Sequence, residues 1–78
     1  MINTKREFSV IIEKDEDGYY IGTVPELPGC HTQAKTLDQL QTRIKEAIEL
    51  YLEVNKEELD FSTKFIGLQR VEVSFDEA

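Results

Sequence analysis

Lys14-Asp15-Glu16-Asp17-Gly18-Tyr19-Tyr20, followed three residues later by Val24-Pro25-Glu26-Leu27-Pro28-Gly29-Cys30, is the stretch that decides the fold. Asp-Gly between two apolar runs is a hairpin signal, because glycine tolerates the positive φ of a tight turn. The run before it, Glu7 to Glu13, alternates: Phe8, Val10 and Ile12 fall on one face, Ser9, Ile11 and Glu13 on the other. The run after it, Tyr19 to Val24, returns as the second strand, with Tyr20, Gly22 and Val24 sharing a face. Two prolines and a glycine between Pro25 and Gly29 then break the ladder and force a bend. Cys30 to Ala34 is long enough for a third strand.

Outward from this block, the period changes from two to 3.6. Thr36 opens a helix as its cap, and Gln39 three residues on completes a capping-box pattern. Leu37, Leu40, Ile44, Ala47, Ile48, Tyr51 and Leu52 form one apolar stripe, expected to lie on the sheet. Leu50 and Val54 sit at its margin, open to a second subunit, and Glu46, Glu49 and Glu53 line the opposite side. Asn55 to Lys64 reads as irregular, anchored by Leu59 and Phe61. Leu68 to Phe75 alternates again and predicts a closing strand, with Val71, Val73 and Phe75 on one face, before the acidic tail Asp76-Glu77-Ala78. The order β-β-β-α-β gives an α+β fold: an antiparallel-rich sheet with one helix on one face, residues 1–78 forming one domain. The uncovered sheet face, which carries Ile11, calls for a second copy or a partner.

Composition narrows the function. Sixteen acidic residues face nine basic ones, a net charge of −7. Such a surface repels a phosphate backbone and attracts a basic partner, so no direct nucleic-acid binding is expected. Solubility alone is the plainer reading of the same acidity. Cys30 is the single cysteine, so no disulfide forms within the chain and a reducing cytoplasm is the expected setting. Met1 to Arg6 is followed by no apolar run of a leader, and no stretch reads as a membrane span.

Reactive constellations are sparse. Neighbouring side chains on a strand point to opposite faces, which separates Cys30 from His31, the one histidine. One Cys and one His fall short of a zinc site. The acidic turn imitates a calcium loop, with Glu13, Asp15 and Asp17 before Gly18, but the twelfth loop position is Val24 instead of Glu. Ser9, Thr23, Thr32 and Ser74 lack a base and orienting acid nearby in sequence. No catalytic residue, metal site or cofactor is expected, and an enzyme, for instance a metal-dependent nuclease using Glu13, is the weakest reading.

The run Glu13 to Tyr20, the block Val24-Pro25-Glu26-Leu27-Pro28-Gly29-Cys30-His31-Thr32-Gln33, the helical Lys45-Glu46-Ala47-Ile48-Glu49-Leu50-Tyr51-Leu52 and the segment Phe65 to Val73 together resemble the HicB antitoxin family over nearly the whole chain. The resemblance implies a partial RNase H-like fold. It also implies a type II toxin–antitoxin role, neutralising a HicA toxin, a small basic ribonuclease that cuts mRNA. Many HicB proteins add a C-terminal DNA-binding segment. None is read between the last strand and Ala78, so operator binding is not expected of this chain.

Within the motif block, Asp17 and Gly18 are expected to set the turn, Pro25, Pro28 and Gly29 to shape the bend, and Cys30 to pack. Partner binding is expected of exposed groups: Asp15 and Glu16 at the hairpin tip, Tyr19 and Tyr20 beside it, Glu26 in the bend, and the Glu46, Glu49, Glu53 strip. A homodimer or homotetramer is expected, and a homo-oligomeric interaction module without a toxin is the alternative function.

Overall fold

The computed structural model describes residues 5–77. Ala78 of the acidic tail and Met1 to Thr4 of the N-terminal stretch lie outside them. Three short strands, β1 (Ile11–Lys14), β2 (Tyr20–Thr23) and β3 (His31–Ala34), pair antiparallel in the order β1-β2-β3, and one helix, α1 (Leu37–Val54), follows. This is the α+β arrangement expected from the sequence, with a three-stranded sheet.

The register fixes the faces. Ile12 pairs with Gly22, and Gly22 with Thr32; Lys14 pairs with Tyr20, and Tyr20 with Ala34. A Cβ on Gly22 would lie 3.2 Å from Val10 Cγ1 and 3.4 Å from Leu40 Cδ1, so the glycine face is the helix side. Ile11, Ile21 and Gln33 therefore belong to the opposite face, which no helix covers among the described residues. The helix is set off-centre: it packs on β3 and less extensively on β2, and leaves β1 uncovered. Ile12 is on the helix side and still 53% exposed.

The strands are shorter than the alternation suggests, for two reasons. The first strand was expected from Glu7, but β2 ends at Thr23, opposite Ile11, so residues before Ile11 have no ladder partner. Instead the Glu26 carboxylate accepts the Ser9 N–H. At the other end, Val24 donates to the Cys30 carbonyl at 3.0 Å, Leu27 to Val24 at 3.1 Å and Cys30 to Leu27 at 2.9 Å. The proline bend is thus a closed loop with its own hydrogen bonds, and Gly29 at φ +85° supplies the left-handed residue it needs.

Thr36 caps α1: its hydroxyl accepts from Gln39 N–H at 3.1 Å and its carbonyl from Leu40 N–H at 3.0 Å. Val24, Leu27, Cys30 and Ile44 form the buried cluster, joined by Ala34 and Leu40, and Phe8, Val10, Ala47, Ile48, Tyr51, Leu52 and Phe61 pack around it. Phe61 anchors the segment after the helix, with its ring 6.2 Å from that of Phe8 and the Arg6 guanidinium 4.0 Å over it.

Two expectations are corrected. Leu37, assigned to the core stripe, is 51% exposed, because it begins the helix where the chain has only just left β3. Leu68 to Phe75 forms no ladder within the described residues; Leu68, Val71, Val73 and Phe75 are all exposed. Alternation shows that a segment can be a strand, whereas a strand exists only where an edge receives it.

Candidate partner-binding surface

The helix ends beside the proline loop. Its C-terminal carbonyls carry a partial negative charge, and no basic residue lies in its last turn. Asn55 closes the end, its backbone N–H and its side-chain amide both donating to the Tyr51 carbonyl, at 3.0 and 2.9 Å. The chain then turns, with Glu58 N–H donating to Asn55 O at 2.8 Å, and carries Glu57, Glu58 and Asp60 round the helix end.

A hollow of about 320 Å³ opens there, walled by the loop residues Pro25, Glu26, Leu27 and Pro28 and by Tyr51, Asn55, Glu58, Leu59, Asp60 and Thr63. A second, of about 400 Å³, shares Asn55 and Glu58 with it and adds Glu53, Val54, Lys56 and Glu57. Five carboxylates thus border adjoining depressions: Glu26, Glu53, Glu57, Glu58 and Asp60. Opposing them is Lys56, which lies 3.7 Å from Glu53 in an exposed pair, an arrangement that contributes little. The Ser62 backbone N–H, bonded to Asp60 at 2.9 Å, holds the Asp60 carboxyl below its ordinary value, with the Ser62 hydroxyl assisting.

The predicted binding residues divide between two ends of the fold. Near the helix C-terminus Glu26 lines the first hollow and Glu53 the second. Asp15, Glu16, Tyr19 and Tyr20 sit at the far end of β2, where the hairpin tip lies near the start of the helix. Glu46 and Glu49 are exposed between the two ends. Glu57, Glu58 and Asp60, which the sequence reading did not single out, line the same hollows; their sequence signal is an acidic run directly after a helix with no basic last turn.

Several candidates are engaged locally. At the hairpin tip the carboxylate that ties the turn is that of Asp15, whose Oδ1 accepts from Asp17 N–H at 3.0 Å and Tyr19 N–H at 2.9 Å. Its backbone pairs with Tyr19 and Gly18, and Gly18 takes φ +88°. The Tyr19 ring lies under Lys35, 6.0 Å away, and the Tyr20 ring under Lys14, 5.3 Å away. Glu26 is half-buried through its bond to Ser9. Cys30 is buried and its thiol is pushed up by desolvation, while His31 is exposed. That environment disfavours the thiolate a nucleophile requires.

The chain resembles known proteins along most of its length. A family model described as HicB_like antitoxin of bacterial toxin-antitoxin system matches residues 8–76. A UPF0150 protein of Archaeoglobus fulgidus is 66% identical over 67 residues, covering 86% of this chain and 94% of the relative. A UPF0150 protein of Synechocystis is 52% identical over 69 residues, covering 88% and 97%. One of Thermotoga maritima is 38% identical over 74 residues, covering 94% and 97%.

Proposed function

The chain belongs to the HicB-like antitoxin family of bacterial toxin–antitoxin systems, and we propose that it neutralises a small, basic, mRNA-cleaving toxin of HicA type by covering the toxin's RNA site. The observation that carries this reading is the group of carboxylates around the uncompensated C-terminus of α1. A site that holds RNA phosphates must present Lys and Arg. Those side chains fit an acidic depression whose floor includes Tyr51, Leu59 and the two prolines, since aliphatic stems pack on apolar walls while the charged heads meet carboxylates. The partner's charge also speeds encounter. The role is one of binding, with no step of catalysis by this chain, and its place is inside the cell, where the toxin is made.

The test is titration of the antitoxin into a HicA-type toxin encoded beside it, with RNA cleavage and affinity both followed against salt. We expect a complex that blocks cleavage and weakens as ionic strength rises. Glu57→Lys with Glu58→Lys is expected to lower affinity by roughly tenfold or more, mostly through changes in opposing charge. Cleavage that continues unaffected at low salt, or a complex indifferent to both salt and these substitutions, would refute the reading. The alternative, a homo-oligomeric interaction module without a toxin, draws support from the exposed apolar residues Leu50, Val54 and Ile66. In that case purified chain assembles but protects no RNA.

A further inference from the structure

Residues 65–75 carry a strand's sequence without a strand's contacts. Val71, Val73 and Phe75 alternate as a half-buried strand does, yet each is about 70% exposed, and Ile66 is 93% exposed. Isolated apolar residues on a surface are ordinary, but a long apolar segment with unpaired backbone is a template for association. The molecule's shape agrees. Its radius of gyration is 15.4 Å and its longest dimension 57 Å, whereas a compact chain of this length has a radius near about 11.5 Å. Phe61 is pinned against Phe8, and the chain beyond it does not return to its own sheet.

The same chain has a matching vacancy. Of the two sheet edges, β3 lies under α1, and the Arg43 guanidinium already donates to the Gln33 carbonyl at 2.9 Å. Among the described residues, β1 has neither cover. Its free edge runs beside Ile12, which faces the helix side and stands exposed because α1 sits over the other strands. Charge does not oppose a second copy: residues 65–75 contain Arg70 against Glu72, one of each sign, while the whole chain has a net charge of −7. The segment is thus a neutral part of an acidic molecule, which a second acidic copy does not repel.

We propose that residues 65–75 are an exchange arm that pairs with the β1 edge of a second copy of this chain, reciprocally, giving each protomer a fourth strand donated by the other. Val71, Val73 and Phe75 then cover the helix-side surface around Ile12, and one two-fold operation satisfies both arms and both edges. The pairing is independent of any toxin, so its failure and the failure of the neutralisation reading are separable.

Full-length chains with Cys30→Ala serve for the test. One carries Ile12→Cys, a second Val73→Cys, a third both, and a flexible bismaleimide is the probe. We expect efficient cross-linking on mixing the first two, after time for exchange. Cross-linking confined to the chain bearing both cysteines would mean that the arm folds on its own body, and no cross-link in any sample would remove β1 as the receiving edge; either result overturns the proposal. Sedimentation is a second reading. The native chain is expected to be at least dimeric, and Val71→Asp with Val73→Asp is expected to yield monomer with unchanged helical circular dichroism, whereas Glu72→Gln on the other face leaves assembly intact. A native chain that is monomeric at high concentration, or a doubly substituted one that still assembles, contradicts the exchange.

Discussion

Both carboxylate oxygens of Glu26 accept the backbone N–H of Ser9, at 3.2 and 3.1 Å, across 17 positions of sequence. The bond continues β1 beyond the point where β2 has turned away, using a side chain in place of a strand. It also holds the proline loop against the first strand, next to the acidic hollow at the end of α1.

Replacing Glu26 consequently affects stability as well as any contact with a partner. A charge-assisted bond at a half-buried position contributes about 1–2 kcal/mol. Glu26→Ala is expected to lower urea stability by that amount, and Glu26→Gln, which retains an acceptor, by less. Equal stability of all three proteins would show that the bond contributes nothing.

The hairpin tip separates two neighbouring acids. Asp15 accepts two backbone amides, and the Asp17 carboxylate is recorded in no hydrogen bond among the described residues. Asp15→Ala is expected to cost about 1 kcal/mol, and Asp17→Ala less than about 0.5 kcal/mol. Thermal unfolding of the pair measures the difference, and the reverse order would contradict the assignment of the turn to Asp15.

Gly29 and Gly67 both have open space where a Cβ would go, but Gly29 alone of the two has a positive φ. Any penalty at Gly29 is therefore one of backbone conformation. Gly29→Ala is expected to destabilise by about 1–2 kcal/mol, with Gly67→Ala close to neutral. Chemical denaturation resolves the two, and similar losses at both would argue against the left-handed geometry of the loop.

Cys30 gives the fold an alkaline limit. Burial raises its thiol above the ordinary value, so the folded state retains a proton that the unfolded chain releases. Its contribution is present in full below the unfolded thiol's pKa and is lost as pH rises from there through the folded value. Stability of the native chain is expected to fall across this window more steeply than that of Cys30→Ala. Denaturation of both proteins at a series of alkaline pH values provides the comparison, and parallel curves would count against it. Cys30 is likewise expected to react slowly with a disulfide reagent until the protein unfolds.

Much of the architecture is written locally. Asp-Gly with its flanking alternation specified the hairpin, the proline bend specified the break, and Thr36 with the stripe from Leu40 to Leu52 specified the helix. These signals act through φ preference, capping and periodicity, each decided within a few residues. The negative balance and the motif block also pointed to a binding protein before any geometry was known. Tertiary structure alone decided which acid ties the turn, that Glu26 is bound to Ser9, and that Glu26 lines one hollow with Glu58 and Asp60 and Glu53 an adjoining one with Glu57 and Glu58, while the hairpin tip lies elsewhere. It also left Leu37 exposed and Leu68 to Phe75 without a ladder. A local pattern states what a segment can become, but burial and pairing depend on what lies opposite, and that is set by how distant parts of the chain, or another chain, come together.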